Sequence, residues 1–114
     1  MDLRSLCLGF TGAEETYPFS PEVTVFKVRG KIFAMRHSLH EQARWSVWLK
    51  AAPGLQEALV STAPERFFRP PYVGHRGWVG AYLDVEQDWE ELAELIEESY
   101  CMTAPKRLVA QLAE

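Results

Sequence analysis

The feature that most limits how this chain can fold is VTVFKVRGKIFAMRH, residues 23–37. Two runs rich in β-branched and aromatic residues meet at Arg29-Gly30, where glycine supplies the positive φ of a tight turn, so the segment reads as a hairpin. RWSVWLK at 44–50 then alternates, with Trp45, Val47 and Leu49 on one face and Arg44, Ser46, Trp48 and Lys50 on the other. Three consecutive strands joined this way build an antiparallel sheet. A sheet with one apolar face needs helices to cover it.

The flanking segments supply those helices. Leu3, Leu6, Cys7 and Phe10 recur at helical spacing, which predicts a short amphipathic helix over 2–10 that stops near Gly12. Between it and the hairpin, AEETYPFSPE reads as turn. Pro53 followed by GLQEALVSTA predicts a second helix over 53–62, with proline in the first turn and Leu55, Ala58 and Leu59 facing inward. Residues 67–69 read as a short strand ended by Pro70 and Pro71, which lack the N–H a ladder needs. Alternation resumes over 78–83, with Val79, Ala81 and Leu83 opposite Trp78, Gly80 and Tyr82. Asp88 with Glu91 three residues on forms a capping box, and Trp89, Leu92, Ala93, Leu95, Ile96 and Tyr100 follow as a helical stripe. Thr103 is the expected cap of a last short helix carrying Leu108, Val109 and Leu112. The expected class is α+β, two layers, with helices on one face of a mainly antiparallel sheet in the order α-β3-α-β2-α plus a short C-terminal helix. At 114 residues, with no linker or repeat, residues 1–114 read as one domain.

Charge and chemistry narrow the function. The net charge of −4 conceals a division: residues 24–83 hold nine Lys/Arg against Glu41, Glu57 and Glu65, whereas 84–98 hold eight acids and no base. Cys7 and Cys101 are far apart and form no CxxC pair, which suits a reducing cytoplasm, and both fall on or near apolar helix stripes where thiols are inert. The start MDLRSLCLGF has too short an apolar run for a signal peptide or a membrane span. His37 and His40, with His75, are the only histidines, but they fall at a strand end and in loops, which is poor geometry for a metal. The glycines at 74, 77 and 80 lack the strand, loop and helix order of a phosphate loop. The acids of 84–98 are spread around a helix instead of paired across a cleft. No cofactor, metal or catalytic constellation is expected, and a binding domain is the expectation over an enzyme.

Several stretches then carry a likeness: YPF at 17–19, VFKVRGKIFA at 25–34, LK at 49–50, PPYVGHRGWVGAYLD at 70–84, the PGLQEALV segment and the acidic helix ending in SY at 99–100. In this order they resemble the MmcQ/YjbR family over almost the whole chain. The resemblance implies an α-β3-α-β2-α fold similar to type III secretion chaperones. It also implies the DNA-binding label that family members carry from a double-wing likeness. Many relatives have an asparagine-lysine pair followed by His-Trp where this chain reads Gly74-His75-Arg76-Gly77-Trp78.

Alternation supplies a surface for such a ligand. If Val47, Leu49, Val79, Ala81 and Leu83 face the helices, then Arg44, Trp48, Lys50, Trp78 and Tyr82 face away, flanked by Arg66, Arg69 and Arg76. Aromatics between cations suit base stacking with phosphate neutralisation. The expected nucleic-acid-binding set is therefore Arg44, Trp48, Lys50, Arg69, Arg76, Trp78 and Tyr82, with DNA as partner. The alternative is a homodimeric or protein-binding module that buries the same sheet face or uses the acidic helix, in which case the 70–77 loop or a second subunit covers the aromatics.

Overall fold

The computed structural model describes residues 2–38 and 44–112. Helix α1 (Leu3–Leu8) begins at Asp2, whose carboxylate accepts a hydrogen bond from the Ser5 N–H at 2.8 Å. Strands β1 (Ala13–Thr16), β2 (Thr24–Val28), β3 (Lys31–Ser38) and β4 (Trp45–Leu49) follow, then α2 (Leu55–Thr62), β5 (Phe67–Phe68), a 3₁₀ turn (Gly74–Arg76), β6 (Val79–Tyr82), α3 (Trp89–Thr103) and α4 (Lys106–Gln111). The six strands form one antiparallel sheet in the order β1-β2-β3-β4-β6-β5. The α+β class is as expected.

The hairpin between β2 and β3 turns at Arg29 and Gly30 with φ of 53° and 79°, the two positive values of a type I′ turn. The structure adds an edge strand, β1, in the AEET segment expected to be turn. Ala and Glu are weak strand formers, but pairing along β2 outweighs propensity at an edge, and Glu15 gains Arg4 as an ion partner at 2.8 Å.

One face of the sheet holds the core. Phe26, Val28, Phe33, Ala34, Val47, Leu49, Phe67, Val79 and Ala81 are buried with Leu3 and Cys7 of α1, Leu92, Leu95, Ile96 and Tyr100 of α3 and Leu108 of α4; Leu55, Leu59 and Val60 of α2 pack at its margin. Two helix details differ from the sequence reading. In α2, Ala58 is exposed and Gln56 is the buried residue, because its amide donates to the carbonyls of Gly74 and Trp78 and so satisfies a loop that packs against the helix. Thr103 does not cap α4. It ends α3, with its hydroxyl donating back to the Ser99 carbonyl at 2.8 Å, and Pro105 occupies the cap position instead. Asp88 does cap α3, accepting from the Glu90 and Glu91 N–H groups.

The joint between α3 and the sheet forms at a β-bulge. Phe26 pairs with Ala34 and the next residue, Lys27, with Ile32, so Phe33 has no partner across β2. The extra residue lets Phe33 and Ala34 both enter the core, and it frees the Phe33 carbonyl from the ladder. The Ser99 hydroxyl donates to that carbonyl at 2.6 Å and accepts from the Lys50 N–H at 2.9 Å, just past the end of β4. Next to it, Tyr100 packs edge-on against Phe33 and stacks on Phe10, and its hydroxyl donates to the Thr11 carbonyl. Ser99→Ala leaves a buried carbonyl and a part-buried N–H without this partner and is expected to lower unfolding free energy by about 1–3 kcal/mol. Urea denaturation measures this, and a loss below about 0.5 kcal/mol would show that relaxation or water replaces the hydroxyl.

Candidate nucleic-acid interface

The second face of the sheet carries two of the residues expected to bind nucleic acid, Trp48 and Tyr82, each in its own cross-strand row. One row runs Val25, Met35, Trp48, Gly80, Phe68, and the other His37, Ser46, Tyr82. Alternation therefore places Trp48 and Tyr82 on the expected side. What it does not reveal is that this face is closed by its own side chains.

Trp48 is only 3% exposed and Trp78 only 9%. The Trp48 ring stacks on His37 with centroids 4.6 Å apart, and its indole N–H donates to the Ser46 hydroxyl, which in turn donates to the His37 carbonyl. Across the strand, the Phe68 ring covers Gly80 so closely that a methyl group there would lie 2.2 Å from the ring. Glycine at this position is thus required by an approaching ring and not by its own backbone angle. Both tryptophans of the expected set are thus buried, with little ring surface open to solvent.

Tyr82 is also engaged. Phe68 stacks on it at 4.7 Å, and the Arg44 guanidinium lies 3.6 Å from its ring centre. That same guanidinium is held in a bidentate pair by Asp84, at 2.7 and 2.8 Å. The pairing holds the Asp84 carboxyl below its ordinary range and raises Arg44. Arg44 and Tyr82 are thereby committed within the fold. Lys50 is half-buried, with its ammonium pushed down by desolvation and by the neighbouring Lys31 charge.

Arg69 and Arg76 differ. Both are exposed, and among the described residues neither has a carboxylate within ion-pair reach, in contrast to Arg4, Arg44 and Arg66. They sit on the loop after β5, together with exposed Tyr72 and His75. The loop is firmly built. Pro70 is fully buried, Gln56 grips the Gly74 and Trp78 carbonyls, and successive turns close from Val73 to Pro71, Arg76 to Val73 and Gly77 to Gly74. The Arg69 stem packs directly on the Gly74 backbone, where a side chain would collide with it. Tyr72 is 80% exposed and held at φ 66°, a conformation uncommon for an aromatic residue. Tyr72 and His75 stand outside the expected set because PPYVGHRG reads as a stiff connector. The signal present was an aromatic and a histidine between the two arginines.

The remaining chemistry is sparse. Among the described residues no three His, Cys, Asp or Glu side chains gather as metal ligands, and His40 lies outside the described residues. Cys7 and Cys101 are free thiols. Burial raises Cys7 to about 12, and burial followed by the Glu97 and Glu98 charges raises Cys101. No helix among the described residues is long and apolar enough to cross a membrane.

The YjbR family model matches residues 8–102. Among solved structures, the Deinococcus radiodurans protein DR2400, with a DUF419 domain, is 30% identical with a TM-score of 0.76, over 89% of this chain and 75% of that one. A Pseudomonas syringae protein shares the fold at 18% identity and a TM-score of 0.60, over 82% of this chain and 88% of that one. No curated protein matches.

Two outcomes follow from the site's electrostatics. Because the Asp84 carboxyl is depressed in the fold, its pair with Arg44 contributes stability fully above the ordinary value of 3.8 and loses it as pH falls through the lowered value. Asp84→Asn should therefore lower Tm near neutral pH, and the gap to the parent protein should close as pH falls through that lowered value, as read by thermal melts across pH. Cys7 should resist a thiol reagent at pH 8 in the folded protein and react at once in denaturant; labelling by mass spectrometry checks this, and rapid reaction in the native state would contradict its burial.

Proposed function

The chain belongs to the YjbR family, a membership that fixes its fold, and we propose that it is a non-enzymatic cytoplasmic binding domain that contacts single-stranded DNA through the loop after β5. The observation that carries this reading is the loop itself: Arg69 and Arg76 without carboxylate partners, around an exposed Tyr72, on a frame pinned by Pro70 and Gln56. A single strand offers unstacked bases to Tyr72 and phosphates to the two arginines, with His75 at the same rim. A duplex hides its base faces and offers only phosphates. The sheet face does not take part, because its aromatics are stacked on one another and on Arg44.

The reading sets modest magnitudes. Two phosphate contacts on a single strand give a log–log salt slope of about −1.4, and one base stacked on tyrosine contributes about 1–3 kcal/mol. Against a net charge of −4, binding belongs to low salt. The alternative is a homodimeric or partner-binding module that uses the same sheet face or the acidic helix; the exposed Arg69, Tyr72 and Arg76 on the loop favour the DNA reading over it.

Fluorescence anisotropy with labelled oligonucleotides, titrated at several salt concentrations, tests the proposal. Single strands should bind more tightly than duplexes of the same length. The double variant Arg69→Ala/Arg76→Ala should flatten the salt slope towards zero, and Tyr72→Ala should weaken binding about 5- to 150-fold. Absence of single-strand binding at about 20 mM salt would refute it.

A further inference from the structure

At the opposite edge of the sheet from that loop lies a groove of about 370 Å³, lined by Asp2, Leu3, Arg4, Glu15, Tyr17, Thr24, Phe26 and Arg36. Its volume is at the lower end of small-molecule sites. The floor is the open end of the core face, where Phe26 and Thr24 lie side by side along β2 with Glu15 across from Phe26 on β1 and Arg36 across from Thr24 on β3. The start of α1 and the exposed Tyr17 form the rims.

The charges in the groove are not equivalent. Glu15 is taken up by Arg4 at 2.8 Å, and Asp2 by the Ser5 N–H at 2.8 Å. Arg36 is the cation left over: among the described residues no carboxylate pairs with it, while its guanidinium carbon lies over the Trp45 ring, 4.0 Å from the centroid. A cation–π contact leaves guanidinium N–H groups to donate, and a carboxylate can accept two of them at once. Beside it the half-exposed Tyr17 ring supplies apolar surface, over a floor of buried Phe26 and Leu3.

We infer that this groove binds a small carboxylate carrying a compact apolar body, with the acid on Arg36 and the body against the Tyr17 ring. A free aryl or alkyl acid and the C-terminal residue of a peptide share this chemistry. The site is independent of the loop proposed to bind DNA, so either can fail alone.

The test is titration of the ¹⁵N-labelled protein, followed by amide shifts, with phenylacetate, its neutral isostere phenylacetamide, and N-acetylphenylalanine as a mimic of a chain end. The expected result is saturable shifts centred on Thr24, Phe26 and Arg36 with one or both acids, the tighter one identifying the source, and affinity at least about tenfold weaker for phenylacetamide. Arg36→Gln should weaken acid binding by a similar factor, whereas Arg69→Ala/Arg76→Ala should leave it unchanged. The isostere comparison uses the unaltered protein, so it stands even if Arg36→Gln folds poorly. Lack of saturation with both acids, equal binding of the amide, or shifts centred elsewhere would each overturn the inference.

Discussion

The Ser99 hydroxyl sits where three problems of the fold meet. The bulge at Phe33 brings two consecutive residues into the core and strands a backbone carbonyl; β4 ends and leaves the Lys50 N–H; and the long helix needs a fixed register on the sheet. A single side chain that both donates and accepts answers all three, and only a hydroxyl at that turn of α3 does so without added volume. The neighbouring Tyr100 then locks the same register through Phe33, Phe10 and the Thr11 carbonyl, so that α1, α3 and the bulged strand form one unit. Buried polar groups satisfied this completely rigidify a core as well as stabilise it.

The sheet face away from the helices shows how composition can mislead about function. Arginines and aromatics in alternation are the raw material of a nucleic-acid surface, and equally of a self-stacked one. Distance decides between them. Phe68 reaches over Gly80 to Tyr82, Arg44 covers Tyr82 while Asp84 holds its charge, and His37 occupies Trp48. Each partner is supplied by a different strand or by the chain just beyond one, so the face is closed by the topology of the sheet.

Local periodicity made most of the fold legible. The hairpin at Arg29-Gly30, the alternation of β4 and β6, and the Asp88 cap with the α3 stripe are all stated within short windows of sequence. What was hidden depends on residues far apart. The strand at Ala13–Thr16 exists because β2 pairs with it, and Gln56 turns inward because the carbonyls of Gly74 and Trp78 lie against its helix. Of the expected site, Arg69 and Arg76 are exposed where a ligand can reach them, whereas Trp48 and Trp78 are buried, since alternation tells which side a residue faces and not what lies over it.

The charge division along the chain resolves in the same way. The basic middle and the acidic late segment meet in space where β6 runs into α3, and there Asp84 takes Arg44 and Glu91 takes Arg66. Exposed ion pairs of this kind contribute little to stability, yet they remove two cations from any electrostatic footprint. Two groups of cations without carboxylate partners among the described residues then gather meaning by position: Arg69 and Arg76 on a stiff loop at one edge of the sheet, and Arg36 on β3 over an indole. A large anionic ligand needs reach and exposure, which the loop offers. A small one needs a fixed donor beside apolar surface, and that is what the Arg36 groove presents.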